Sequence, residues 1–325
     1  MAAGSGTRRE PVGPAIRVPK PVRAVLGLVW SPPDEQALRA AVHGRTVLVT
    51  GASRGIGAAS AGKLAAAGAT VLLVARSAEG LEDVRRRIAV AGGVASAYPA
   101  DLADVSAVGK LVDRVRSDHG PVDVVVSNAG KSIRRSVADS YERFHDVTRT
   151  ANVNYLGPVQ LLLGLLPDMR ARGSGHVVSV GTVSTDLPAP YWAAYTGSKS
   201  AFEAWLRCVA PELRADGVAT TSIHCPLVHT DMSAPVPLYR HLPGMTAEEA
   251  ADAVCRAIAY RPRLMSPWWS RAGGMVAGVA QPPTDALLTL YYRSQRSARL
   301  RAVGGSAGRA TRWIGGRAAG RGGGR

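Results

Sequence analysis

The feature that most constrains this chain is an alternation of short aliphatic runs with stretches of helical periodicity. Residues 45–50, 70–75, 122–126, 176–180 and 219–224 are brief runs rich in Val, Leu, Ile and Thr, and 94–99 reads as a further short strand. Between them, helical patterns run from the glycines after residue 50 to about 68, then over 81–91, 105–117, 141–166, 193–211 and 247–260. Runs that are apolar on both faces suit strands covered by helices on both sides. The strand–helix–strand order makes those strands parallel, joined by right-handed crossovers. The expected fold is therefore α/β, a doubly wound parallel sheet in a single domain, with ligands bound beyond the carboxyl ends of the strands. A composition of 46% hydrophobic and 20% charged residues is compatible with the sizeable core this needs.

The first strand runs into Gly51-Ala52-Ser53-Arg54-Gly55-Ile56-Gly57, and a helix follows. Glycines allow a tight turn and close backbone approach to a pyrophosphate, and the helix start offers free N–H groups and a positive dipole end. The second strand ends Val74-Ala75-Arg76, without the acid that would hold a ribose 2′-hydroxyl. Arg54 and Arg76 can instead bind a 2′-phosphate, which favours NADP(H) over NAD(H). Further on, Tyr195 and Lys199 stand four residues apart, on one face of a helix read as far as Pro211. An ammonium beside the phenol is expected to lower its pKa and make it a proton donor and acceptor near neutral pH.

The formal charge of +16 sits mostly at the C-terminal end. Residues 293–325 hold nine Arg and no acid, and the first 43 residues carry +3, which leaves an ordinary +4 between them. Such a tail cannot bury enough apolar surface to fold, and its chemistry suits nonspecific contact with an anionic membrane surface or nucleic acid. Cys208, Cys225 and Cys255 are widely spaced and odd in number, and the histidines lack ligand spacing, so no metal site is expected. The N-terminal residues lack the apolar run of a signal peptide, and no later run reaches a membrane-spanning length. The expected location is cytoplasmic, with peripheral membrane contact open.

With these motifs in order, the chain resembles the short-chain dehydrogenase/reductase superfamily over residues 44–264, which implies a Rossmann-type fold. The resemblance assigns the cofactor turn to Gly51, Ser53, Arg54, Gly55, Ile56 and Gly57. It places Asp101 and Leu102 at the adenine and Asn128, Ala129 and Gly130 after the fourth strand. Asn154, Tyr195 and Lys199 are identified as active-site residues, Tyr195 and Lys199 also contacting the cofactor. The position usually held by a serine, thirteen residues before Tyr195, is Thr182, which keeps the hydroxyl. Ser184 is the alternative hydroxyl. Pro226-Leu227-Val228-His229-Thr230 is one residue shorter than the family's usual motif, and by position Val228 and Thr230 should contact the carboxamide and phosphates.

The strings Ser132-Ile133-Arg134-Arg135 and Ser140-Tyr141-Glu142-Arg143-Phe144-His145-Asp146 are similar to the reductase domains of bacterial fatty acyl-CoA reductases. That resemblance implies NADPH-dependent reduction of a long-chain acyl-CoA or aldehyde, with acyl-CoA or acyl carrier protein as partner. Arg134 and Arg135 would meet the phosphates, and Asn154 would hold a water behind Lys199. Reduction of 3-oxoacyl, steroid or other secondary-alcohol substrates remains open, as does a cofactor-binding regulator that has lost catalysis. The family tends to form homodimers or homotetramers through the helices of Asn154 and Tyr195. The expected organisation is an extension over 1–43, the catalytic domain over 44–265, a second extension over 266–292 and a disordered tail over 293–325.

Overall fold

The computed structural model describes residues 19–187 and 189–297, in two units divided after Gly273. The N-terminal stretch and most of the Arg/Gly tail, for which disorder was expected, lie outside the described residues. In the first unit, α1 (Lys20–Val25) and α2 (Glu35–Val42) precede the sheet. The sheet order of the chain is β1 (Thr46–Thr50), α3 (Gly55–Ala66), β2 (Thr70–Ala75), α4 (Ala78–Val90), β3 (Val94–Pro99), α5 (Val105–His119) and β4 (Val124–Ser127). It continues with α6 (Phe144–Ala151), α7 (Gly157–Ala171), β5 (Gly175–Thr182), α8 (Ala193–Ala215), β6 (Val218–Cys225), α9 (Ala247–Tyr260), β7 (Leu264–Met265) and α10 (Trp268–Val279).

The strands are parallel and lie in the order β3-β2-β1-β4-β5-β6-β7. Because successive side chains alternate across a strand, each one feeds two cores. Val47 and Val49 of β1 pack with α3, α4 and α9, whereas Leu48 packs with α5, α7 and α8. The doubly wound fold is therefore present, and the direction of strand order reverses between β1 and β4. That is where a crevice opens beyond the carboxyl ends.

Two prolines sit inside helices, Pro167 in α7 and Pro211 in α8, so α8 runs past the expected stop at Pro211. A proline removes one helical hydrogen bond, but Ala210 and Leu213 are buried on either side, and burial holds the helix together. Between α6 and α7, residues Asn152–Leu156 form a π-helical turn, a feature no periodicity signals. The two-residue strand β7 and the Gly-rich helix α10 also lack a clear pattern. Among the described residues no helix is long and apolar enough to cross a membrane, and no group of His, Cys, Asp and Glu could hold a metal ion.

His176 lies buried on β5 with Nε2 donating to Thr221 Oγ1 at 2.9 Å, since that hydroxyl itself donates to the Pro262 carbonyl at 2.6 Å. Burial, helped by Arg261, pushes its pKa from 6.5 down to about 3. The unfolded chain therefore binds a proton that the folded one refuses between these values, and stability must fall as pH drops below about 6.5. Thermal midpoints measured from neutral to mildly acidic pH are expected to fall less steeply for His176→Leu than for the natural chain. The difference in slope should approach about 1.4 kcal/mol per pH unit.

Candidate active site

At the switch point the ends of β1 and β4 are laced together. Thr50 Oγ1 accepts from the N–H groups of Asn128 and Ala129, each at 2.9 Å, and Asn128 Nδ2 donates to the Thr50 carbonyl at 2.9 Å. The turn after β1 needs Gly51 and Gly55 in the left-handed region, with φ of 67° and 56°. A Cβ on Gly57 would fall on the Gly51 carbonyl oxygen and lie 2.7 Å from Asn128 Nδ2. No side chain caps the start of α3, which leaves its first N–H groups available to a ligand. Phosphates of a nucleotide fit this cradle.

The other expected cofactor residues divide into two groups. Thr230 lies against the turn, its Cγ2 3.5 Å from the place of a Gly55 Cβ, and Val228 pairs with Met245. Arg76 is exposed at the end of β2, and Arg54, also exposed, faces Asp231 at 3.5 Å. Ser53 packs beside Gly80 at the start of α4. Ile56 is instead half-buried against the core, and the Leu102 side chain is fully within it, leaving only the Leu102 backbone for an adenine. Asp101 uses Oδ1 to accept from the Ala103 N–H at 3.0 Å.

Lys199 is 8% exposed, and its Nζ donates to the Val180 carbonyl at 3.0 Å. A Cβ on Gly130 would lie 3.5 Å from that nitrogen and 3.3 Å from Asn154 Oδ1, so the lysine reaches the crevice at the end of β4. Burial lowers its pKa to about 8. Tyr195 is half-buried, and its hydroxyl bonds Thr182, whose Oγ1 is 3.1 Å from Ser184 Oγ. The expectation that the lysine acidifies this phenol is corrected here, because desolvation pushes Tyr195 up to about 12. Lys199 is not among the groups that shift Tyr195, whose hydrogen bond with Thr182 only partly offsets the desolvation. Tyr195 stays protonated and suited to giving a proton.

Asn154 occupies the π-helical turn, a distortion common at functional sites. Its Nδ2 donates to the Lys131 carbonyl and to Ser198 Oγ, each at 2.9 Å, and its Oδ1 accepts from the Lys131 N–H at 2.8 Å. The amide thus ties the segment after Gly130 to Ser198 on α8. Arg135 is committed to an ion pair, since its Nε bonds the Asp146 carboxylate at 2.9 Å. Bonding from Arg143, with Arg135 beside it, holds that carboxyl below its usual range. Arg134 is exposed, with its guanidinium 4.4 Å from the centre of the Tyr191 ring.

Some of the site escaped sequence reasoning. Ser198 links Asn154 to the Tyr195 carbonyl, which its place before Lys199 could have suggested. Trp192 meets Tyr195 edge-on at 6.0 Å and stacks on Tyr239 at 6.1 Å, forming an aromatic wall from distant segments. Behind Lys199, one helical turn on, Glu203 Oε1 lies 3.7 Å from His224 Nε2, and His224 Nδ1 is 3.0 Å from Asp186 Oδ2. Burial opposes protonation of His224, but the two carboxylates outweigh it and raise its pKa. The helical spacing of Lys199 and Glu203 was visible, whereas their meeting with His224 depends on sheet register.

The family model for short chain dehydrogenases matches residues 45–239. The chain belongs to the short-chain dehydrogenase family. This dehydrogenase is 40% identical over 258 residues to a fatty acyl-CoA reductase of Acinetobacter baylyi, spanning 79% of this chain and 88% of that protein. It is 38% identical over 260 residues to a fatty acyl-CoA reductase of Mycobacterium tuberculosis, spanning 80% and 84%. A crystal structure of a 3-oxoacyl (acyl-carrier-protein) reductase from Agrobacterium tumefaciens with NADP bound superposes with a TM-score of 0.64. It is 30% identical and covers 71% of this chain and 95% of its own. The dehydrogenase is thus an NAD(P)-dependent oxidoreductase.

Gly57→Ala in this dehydrogenase is expected to force the turn open. Fluorescence titration should show loss of nicotinamide-nucleotide binding, and the sheet should persist by circular dichroism.

Proposed function

We propose that the enzyme reduces the carbonyl of a long-chain fatty acyl-CoA or aldehyde, with NADPH as hydride donor. The observation that carries the reaction class is the Tyr195 hydroxyl, joined to Thr182 one helical turn from the buried Lys199, whose Nζ donates to the Val180 carbonyl. The bound nicotinamide would supply a hydride to the carbonyl carbon. Thr182 would hold the carbonyl oxygen, and Tyr195 would give it a proton. Lys199 would hold the nicotinamide ribose, and Asn154 keeps the segment over Lys199 in place. With a thioester, the hemithioacetal so formed breaks its C–S bond to release an aldehyde and the thiol of CoA.

The fatty acyl-CoA reductases to which the chain is similar support the substrate class. So does the aromatic wall of Trp192 and Tyr239, which offers apolar surface to an acyl chain. Arg134, exposed beside the Tyr191 ring, would meet a CoA phosphate. Reduction of 3-oxoacyl groups is a second reading, favoured by the NADP-bound structural neighbour. Arg54 and Arg76 would take the 2′-phosphate of NADPH. A homodimer or homotetramer belongs to the same reading, because Leu163, Trp205 and Val209 line an open groove on α7 and α8. A cytoplasmic location is likewise part of it.

NADPH oxidation should be followed with acyl-CoA, aldehyde and 3-oxoacyl substrates of increasing length, with identification of products. Turnover of long acyl-CoA or aldehyde is expected, and turnover confined to 3-oxoacyl substrates would favour the second reading. Tyr195→Phe is expected to lower the rate by roughly 10²–10⁴ with NADPH binding retained. In the natural enzyme the rate should fall as pH rises through about 8, where Lys199 loses its charge. Arg76→Ala should weaken NADPH binding by about tenfold or more and leave NADH binding nearly unchanged, as loss of one charge-assisted contact requires.

A further inference from the structure

The second unit carries an apolar stripe that the reductase reading does not use. Residues 281–297 are helical, and Leu287, Leu290 and Tyr291 recur at i, i+3 and i+4 on one exposed side. Leu287 is 66% exposed and Leu290 62%. Asp285 and Arg296 fall on the opposite side at about 100° per residue. Just before it, Met275, Val276 and Val279 form another exposed apolar group, with Val279 at 90%. The chain continues from this stripe into the segment 293–325, whose sequence has nine arginines and no acid.

We propose that this helix, with the arginine-rich sequence that follows it, docks the enzyme on an anionic lipid surface. An interfacial helix needs an apolar side to enter the acyl boundary and basic residues to meet the headgroups, and this segment has both. Charge complementarity alone would equally suit a nucleic acid, but a phosphate backbone offers nothing to Leu287, Leu290 and Val279. A second copy of the chain would carry the same positive charge and repel at the tail. The lipid surface satisfies both halves.

The test is sedimentation of the full chain with vesicles of phosphatidylcholine alone and of phosphatidylcholine mixed with phosphatidylglycerol, at low and high salt. The natural chain is expected to pellet with the mixed vesicles, less so at high salt. Leu287→Glu with Leu290→Glu is expected to cut the bound fraction by about tenfold or more, since each leucine no longer enters the apolar boundary. Leu287→Ser with Leu290→Ser should do the same without adding negative charge. Unchanged thermal midpoints and NADPH binding would show that both variants fold. The proposal is overturned if the variants pellet like the natural chain, or if the natural chain ignores the mixed vesicles. A shift of the variants to a smaller species by light scattering, without vesicle binding, would assign the stripe to a second copy. Retention on duplex DNA but not on vesicles would assign the tail to nucleic acid. None of these outcomes depends on which carbonyl the enzyme reduces.

Discussion

A lysine buried at the carboxyl end of a parallel sheet is the constraint around which this structure is arranged. Lys199 is 8% exposed, and its ammonium donates to a neutral carbonyl, that of Val180. Burying a cation this way is unfavourable, and the lowered pKa records that cost. The surroundings compensate in part. Glu203 lies one turn further along α8, and its attraction favours the charged form. Asn154 and Ser198 hold the backbone beside the lysine, and Gly130 leaves room for its nitrogen. A helix interrupted by a π-turn is the local distortion that brings Asn154 to this place.

The cradle for phosphates and the Tyr195–Lys199 pair meet because of topology. The glycine turn follows β1, Gly130 follows β4, and those strands are neighbours at the point where the order of the sheet reverses. Tyr195 and Lys199 come from α8, after β5, and Thr182 ends β5 itself. Three strand ends therefore supply the parts of one crevice, each placed by a core that pairs alternate residues with helices on opposite faces.

Much of this was legible in the sequence. Buried strands such as Thr70–Ala75 and Val124–Ser127 announce themselves through short aliphatic runs, and Thr46–Thr50 leads straight into glycines whose backbone angles other residues resist. Residues close in sequence, like Tyr195 and Lys199, were legible for the same reason. What could not be read depends on long-range register or on solvent exclusion. His224 reaches Asp186 and Glu203 only because β6 lies beside β5, and Trp192 finds Tyr239 across an irregular loop. Leu102 and Arg135 sit in motifs that suggest ligand contact, yet the core claims one and Asp146 the other. The direction of the Tyr195 shift failed for a related reason. A neighbouring charge is visible in a sequence, but the loss of water is not.

The central claim, a buried lysine that titrates near neutrality at a nucleotide crevice, is open to direct measurement. Carbon-13 NMR of the lysine side chains, with the Lys199 signal assigned through Lys199→Arg, follows its protonation with and without NADPH. A midpoint near pH 8 that NADPH perturbs is the expected result. A midpoint at the ordinary 10.5, indifferent to NADPH, would contradict the account.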